Sequence, residues 1–250
     1  MHVVLDLWGV LLDSDRMQRE YGRHLARKMA DRFGGDEDGW VRAYTGAWTD
    51  YVRGVESAEE SRQAWSETVD RLDAKFAVGI LHRMGVSWRP PDPVAFSREL
   101  DLSVMSGIDA RFPDARIAVE RLRTAGHKVY VATQATESNA RGALTGAGLL
   151  GSVEGLFTGT SQGSPKSHPE YWNRIRAVLG VAAARGAVVD DRADYLQAAT
   201  SAGFVGLLLD REGVYEEERM PAHVHATLRN LAGLPHLVEI LAAEGAHTSA

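Results

Sequence analysis

Four clusters in this 250-residue chain hold side chains of types that do chemistry. The first is Asp6-Leu7-Trp8-Gly9-Val10-Leu11-Leu12-Asp13-Ser14, where a carboxylate closes a short apolar run and a glycine follows. A carboxylate so placed can face a bound electrophile, and Gly9 lets backbone N–H groups approach an anion. Capping or solubility would explain the same residue equally well. The second is Thr133-Gln134, whose hydroxyl and following N–H can hold a phosphate or carboxylate oxygen, or simply cap the next helix. The third is Gly163-Ser164-Pro165-Lys166-Ser167-His168-Pro169. An ammonium fixed between two prolines can neutralise Asp6 and an anionic substrate together, where an ordinary loop lysine would be solvated. The fourth is Val189-Asp190-Asp191-Arg192-Ala193-Asp194. Neighbouring carboxylates repel unless a cation stands beside them. Mg²⁺ takes one or two carboxylates plus waters and substrate oxygens, and a salt bridge to Lys166 would meet the same need without a metal.

The elements that must carry these residues follow from pattern. Val3-Val4-Leu5, Val129-Tyr130-Val131-Ala132, Ala187-Val188-Val189 and Leu207-Leu208-Leu209 are short apolar runs of the kind buried on both faces of a parallel sheet. Helical patterns over Ala140 to Leu149, Tyr171 to Leu179 and Tyr195 to Ala202 separate the last three. Alternation of this sort predicts an α/β fold, a doubly wound parallel sheet. Asp6, Thr133 and Asp190-Asp191 then fall at strand carboxyl ends, where such sheets bind ligands. Residues 14–108 read differently. Met17, Tyr21, Leu25, Met29 and Phe33 recur every four residues, an amphipathic helix. Ser57-Ala58-Glu59-Glu60 fits a capping box opening a helix through Trp65, Val69 and Leu72, and Arg89-Pro90-Pro91-Asp92-Pro93 breaks the chain. Trp40, Trp48, Trp65 and Trp88 are expected to pack in this helical part. The expected domains are 1–13 with 109–241, an inserted helical domain at 14–108, and a tail at 242–250 that frays.

Composition narrows the function classes. A formal net charge of -6 gives no general attraction for nucleic acid or anionic lipid. The absence of cysteine removes disulfides, thiolate zinc sites and thiol nucleophiles. The histidines are scattered, and His223 and His225 do not share a helical face, so no zinc site is expected. The first residues lack a basic segment and a long apolar run, and no stretch approaches the ~20 apolar residues that span a bilayer. The expectation is a soluble, cytoplasmic protein acting on a small anionic molecule; its oligomeric state is not readable.

The order of the clusters resembles the four motifs of the haloacid dehalogenase (HAD) superfamily, over nearly the whole chain from Val3 to about Glu239. The stretch from Asp6 to Ser14 looks like that family's D-x-D-G-V-L-x-D-S, in the subgroup with a helical cap inserted after motif one. Phe112-Pro113-Asp114-Ala115 and Leu122-Arg123-Thr124-Ala125-Gly126 are similar to its helix before motif two. Pro165-Lys166-Ser167-His168-Pro169 is similar to its K-P-x-P motif, and Asp190-Asp191 with Ala198-Ala199 and Ala202-Gly203-Phe204 to its metal-binding motif. The resemblance implies a Rossmann-like core with an α-helical cap and covalent catalysis by Asp6. Thr133 and Lys166 would hold the transferring group, with Trp8, Gly9 and Gln134 on the substrate. Asp191 with Asp190 would place Mg²⁺ beside Asp6 and the Trp8 carbonyl.

Two positions depart from the family pattern. Its phosphatases carry a second aspartate two residues after the nucleophile, to protonate the leaving oxygen; here that residue is Trp8, whose indole is neither acid nor base near neutral pH. The later acid of motif four falls on Tyr195, with Asp194 one place early. Three function classes follow. One is a magnesium phosphohydrolase or phosphotransferase that needs a good leaving group, or an acid from the cap such as His24 or Glu56. Another is a metal-independent dehalogenase-type hydrolase, since halide needs no protonation and that branch carries an aromatic residue at the Trp8 position. The last is a non-hydrolytic member, either a ligand-binding scaffold or an enzyme repurposed for a different reaction. Relatives that cleave phosphonates use a cap lysine, and Lys28 and Lys75 are the insert's lysines, neither in a recognisable motif.

Overall fold

The computed structural model describes residues 1–61, 64–180, 186–215 and 220–247. They separate into two compact units, 1–13 with 111–134 and 149–250, and 14–110 with 135–148.

The first unit is built on a parallel sheet. Its strands are β1 (His2–Leu5), β2 (Lys128–Thr133), β3 (Gly155–Thr158), β4 (Gly186–Asp190), β5 (Val205–Leu209) and β6 (Ala226–Leu228), in the order β3-β2-β1-β4-β5-β6. The four apolar runs of the sequence are β1, β2, β4 and β5. Val3, Val4, Leu5, Val131 and Val189 are fully buried, as strands covered on both faces require. β3 and β6 are not among the apolar runs of the sequence. They are edge strands of four and three residues, and β6 is only half-buried, so neither shows a long apolar run. The chain winds outward from β1 to β3, then returns to β4 and winds the other way. The switch point therefore lies between β1 and β4. Register fixes it: Leu5 pairs with Val189 on one side and Val131 on the other. Helix α5 (Ala115–Thr124) packs on β2, and α9 (Ala193–Ser201) packs on β4 and β5. Between them in sequence lie the short α7 (Gly159–Gln162) and α8 (Pro169–Leu179).

The expected tail is helical for most of its length. Helix α10 (Leu234–His247) runs through residues 242–247, carried by buried Leu234, Val238 and Leu241 and by helix-favouring alanines. Residues 248–250 lie outside the described residues.

The second unit is helical: α1 (Ser14–Phe33), α2 (Glu37–Ser61), α3 (Trp65–Arg83), α4 (Pro93–Met105) and α6 (Glu137–Gly146). Met17, Tyr21, Leu25 and Met29 are buried along α1, the stripe read from sequence. Trp40 and Trp65 are buried, Trp48 is half-buried and Trp88 is exposed. Asp92 caps α4 through the N–H groups of Val94 and Ala95, with Pro93 at the first helical position. The expected helix start at Ser57 is not there. The stripe Tyr44, Ala47, Tyr51, Val55, Ala58 carries α2 on to Ser61, and α3 opens at Trp65 without a side-chain cap. An apolar period of this length outweighs one local cap signal. The side chains of Glu59 and Glu60 lie outside the described residues. The units also divide the chain differently from the expected 14–108 boundary. Residues 135–148 group with the helices because α6 packs on α4. At Gly146 the helix comes so near the carbonyl of Ile108 that a Cβ would collide with it. Among the described residues, no helix is long and apolar enough to cross a membrane.

Candidate active site

The switch point brings the chemistry together. Asp6 directly follows β1, and its N–H donates to the Val189 carbonyl at 2.9 Å, so it runs on beside β4. Asp190 is the last residue of β4. Lys166, in the loop before α8, reaches between them. Its Nζ donates to Asp6 Oδ1 at 2.5 Å and lies 2.6 Å from Asp190 Oδ2. Lys166 and Asp190 are fully buried and Asp6 nearly so.

Several groups fix that lysine. Its backbone N–H donates to Gln134 Oε1 at 2.6 Å, and its carbonyl accepts from Trp172 Nε1 at 2.8 Å. The ammonium also lies 5.1 Å from the Tyr195 ring centroid and 5.8 Å from that of Trp172. The side chain of Gln134 therefore serves the lysine loop. Tyr195, standing where the family pattern has an acid, packs its ring on the lysine charge, and its hydroxyl accepts from Arg192 Nη1 at 3.1 Å. Thr133 ends β2 fully buried, and Tyr171 Oη donates to its carbonyl and to that of Phe157.

Gly9 shapes the turn that follows Asp6. Its N–H donates to the Leu12 carbonyl at 2.8 Å and is not left for an anion. Its φ is 79°, and a Cβ there would fall inside the Asp191 carboxylate. The glycine thus makes room for Asp191 to approach the nucleophile's turn. Trp8 is half-buried beside it and bridges Leu12. Arg211 braces this turn from below, a role no sequence signal announced. It donates to the carbonyls of Val10 at 2.8 Å and Gly9 at 3.3 Å, and holds Asp114 with two 3.0 Å bonds.

Asp6, Asp190 and Asp191 offer carboxylate oxygens within 4.8 Å of one another. Burial pushes the Asp6 carboxyl up to about 8, with Asp190 and Asp191 adding to the rise and Lys166 opposing it. Burial and the charge of Asp190 likewise push Asp191 up to about 6. Burial alone would lower Lys166, but Asp190 and Asp6 outweigh it and hold the ammonium charged. Three carboxylates around one ammonium leave a negative excess in a site of low exposure. An all-oxygen donor set with that excess fits a hard divalent cation, and suits Mg²⁺ in ligand type and number.

Residues 1–203 match the family model for haloacid dehalogenase-like hydrolases. A stretch of 103 residues is 35% identical to a phosphatase, MT3486, of Mycobacterium tuberculosis, covering 41% of this chain and 48% of that one. The chain spans about half the length of the curated relatives it matches. Among solved structures it is similar to the L-2-haloacid dehalogenase of Xanthobacter autotrophicus, with TM-score 0.61, 18% identity and 95% and 98% of the two chains covered. It is also similar to the magnesium-bound HAD-hydrolase YfnB of Bacillus subtilis, with TM-score 0.64, 16% identity and the same coverage. At such identities the two structures speak for the fold alone.

Proposed function

This chain belongs to the haloacid dehalogenase-like hydrolase family, and on that premise we propose that it is a magnesium-dependent phosphohydrolase of a small anionic metabolite, with Asp6 as nucleophile. The observation that carries the reading is the charge count of the site. Asp6, Asp190 and Asp191 lie within ligand reach of one another, and one ammonium stands among them. A metal-free displacement at carbon has no use for the extra carboxylates, which would repel a carboxylate substrate. Asp6, Asp190 and Asp191 would hold Mg²⁺, and when bound it would neutralise charge on the phosphoryl oxygens as a Lewis acid.

This chain's own groups do the rest. Lys166 holds Asp6 Oδ1, which leaves Oδ2 to attack phosphorus. The bond from Oδ2 to phosphorus forms as the bond to the leaving oxygen breaks, and that oxygen departs with the electron pair. Water then attacks phosphorus in the aspartyl phosphate, the P–O bond to Asp6 breaks with its electron pair returning to the carboxylate, and the water's protons end on inorganic phosphate and the departed oxygen. Thr133, at the end of β2, would hold the transferring group together with Lys166. No proton for the leaving oxygen comes from Trp8, since an indole N–H does not ionise near neutrality. Substrates whose leaving group is already a weak base are therefore favoured.

One observation favours a second reading. Trp8 puts an apolar, half-buried ring two residues after the nucleophile. Halide leaves without a proton, so the same Oδ2 could displace it from a 2-haloacid. One assay separates the two. Wild type and Asp6→Asn are compared on an aryl phosphate, on alkyl phosphates and on a 2-haloacid, each with and without Mg²⁺. The proposal expects magnesium-dependent hydrolysis of the aryl phosphate that Asp6→Asn abolishes. Metal-independent halide release with no phosphate release would replace it by the second reading.

A further inference from the structure

A cavity of about 460 Å³ lies within the helical unit, between α2 and α3. Its volume falls in the range of small-molecule sites. The lining has two contrasting parts. One is an aromatic wall of Tyr51 and Phe76. Trp48 stacks on Tyr51 at 5.6 Å between ring centroids and 16° between planes, while Phe76 meets Tyr51 at 5.7 Å and 64°. Phe76 is buried, and these contacts hold the wall in place. The other part is cationic. Among the described residues, Arg53, Lys75 and Arg83 line the cavity against a single carboxylate, Asp50. Arg83 is fixed before any ligand arrives: its guanidinium donates to Asp50 Oδ2 at 2.6 Å and to the Gly79 carbonyl at 3.2 Å. Arg53 stands 3.9 Å from the other oxygen of Asp50. Lys75 has no ion-pair partner among the described residues. Counted at neutral pH among the described residues, three cations face one anion in a chain whose overall charge is -6.

An excess of positive charge beside a preorganised aromatic wall selects both ends of a ligand. The wall takes a flat apolar body by stacking or edge contact. The guanidinium and ammonium groups take an anionic head, with Arg83 already oriented. We propose that the α2–α3 cavity binds a small anion with a planar apolar body, such as an aryl carboxylate, sulfonate or phosphate. All of its described lining residues belong to the helical unit, and neither Asp6 nor any other proposed catalytic residue is among them. The binding therefore stands or falls apart from the hydrolytic reading.

The test is calorimetric titration of the full chain with naphthalene-2-sulfonate, an anion with no bond for a hydrolase to cleave. Inorganic sulfate and the uncharged 2-naphthylmethanol serve as comparisons. Lys75→Glu and Arg53→Glu change exposed side chains, and thermal melting checks that both variants fold. The expected result is one saturable site, weakened at least about tenfold by either reversal and unchanged in Asp6→Asn. Sulfate and the alcohol should each bind at least about tenfold more weakly. Hydrogen exchange should slow in 47–57 and 72–83 when the probe is present. The proposal is overturned if the probe does not bind, if binding ignores both charge reversals, if sulfate binds as tightly, or if protection appears elsewhere.

Discussion

Replacing Lys166 by methionine removes the one ammonium among three carboxylates while keeping much of the side-chain volume. In the wild type Nζ touches Asp6 and Asp190 at 2.5 and 2.6 Å, with Lys166 and Asp190 fully buried. Breaking a buried ion pair by deleting one partner costs about 3–5 kcal/mol, because the remaining charge stays desolvated. Here two carboxylates are left, so the upper half of that range applies at alkaline pH. At lower pH the loss should shrink, since Lys166 is what opposes the rise of the Asp6 carboxyl. Without it that group binds a proton more readily, and protonation relieves the repulsion. The assay is urea unfolding at pH about 6 and about 9.5, below and above the Asp6 carboxyl at about 8, followed by hydrogen exchange in β1 and β4 so that only the sheet unit is read. Adding Asp190→Asn should recover a substantial part of the loss, because one buried charge is gone. A Lys166→Met protein within about 1 kcal/mol of wild type at pH about 9.5 would show that the three groups do not share a buried charge balance, and the reasoning would fail.

Further outcomes follow from other parts of the structure. Gly9→Ala puts a side chain at φ 79° and into the Asp191 carboxylate; it should cost about 1–3 kcal/mol and raise the Mg²⁺ concentration for half-maximal turnover, and an unchanged metal dependence would contradict the role given to Asp191. Trp8→Asp restores an acid, so turnover of alkyl phosphates should rise by about 100-fold or more while aryl phosphates change little; parallel changes in both would mean protonation is not what is missing. In the helical unit, burial pushes Asp101 up to about 6 against hydrogen bonds from Tyr21 and Asn139, and burial with the charge of Asp101 pushes Asp73 up to about 7. Both folded values exceed the unfolded one, so the folded state holds protons the unfolded state releases, and stability of these helices should fall as pH rises from about 4 to about 7. Hydrogen exchange in α1 and α4, corrected for intrinsic rates, reads this; Asp101→Asn should flatten the slope, and an unchanged slope would refute it.

The sequence announced the sheet's interior better than its rim. β1, β2, β4 and β5 declare themselves because central parallel strands are apolar throughout, whereas β3 and β6 are too short to stand out. In the helices the Met17 to Phe33 stripe was legible, but Ser57 misled because a local cap pattern says nothing of the longer period running through it. At the site, residue order put Asp6, Thr133 and Asp190-Asp191 at strand ends and Lys166 in a loop. What stayed hidden were contacts between distant segments. Gln134 takes the Lys166 backbone, Arg211 braces the Gly9 turn across 202 positions, and Tyr195 covers the lysine charge. None of these leaves a periodic or spaced trace, since each depends on where the fold brings two loops.

The central claim is that phosphorus passes through Asp6. During turnover of an aryl phosphate with Mg²⁺, the chain is quenched and reduced with borohydride, which converts an aspartyl phosphate to homoserine, and its peptides are read by mass spectrometry. Homoserine at residue 6, present only with substrate and absent in Asp6→Asn, is the predicted result. Hydrolysis that proceeds with no modification at residue 6, or with modification at another aspartate, would contradict the account.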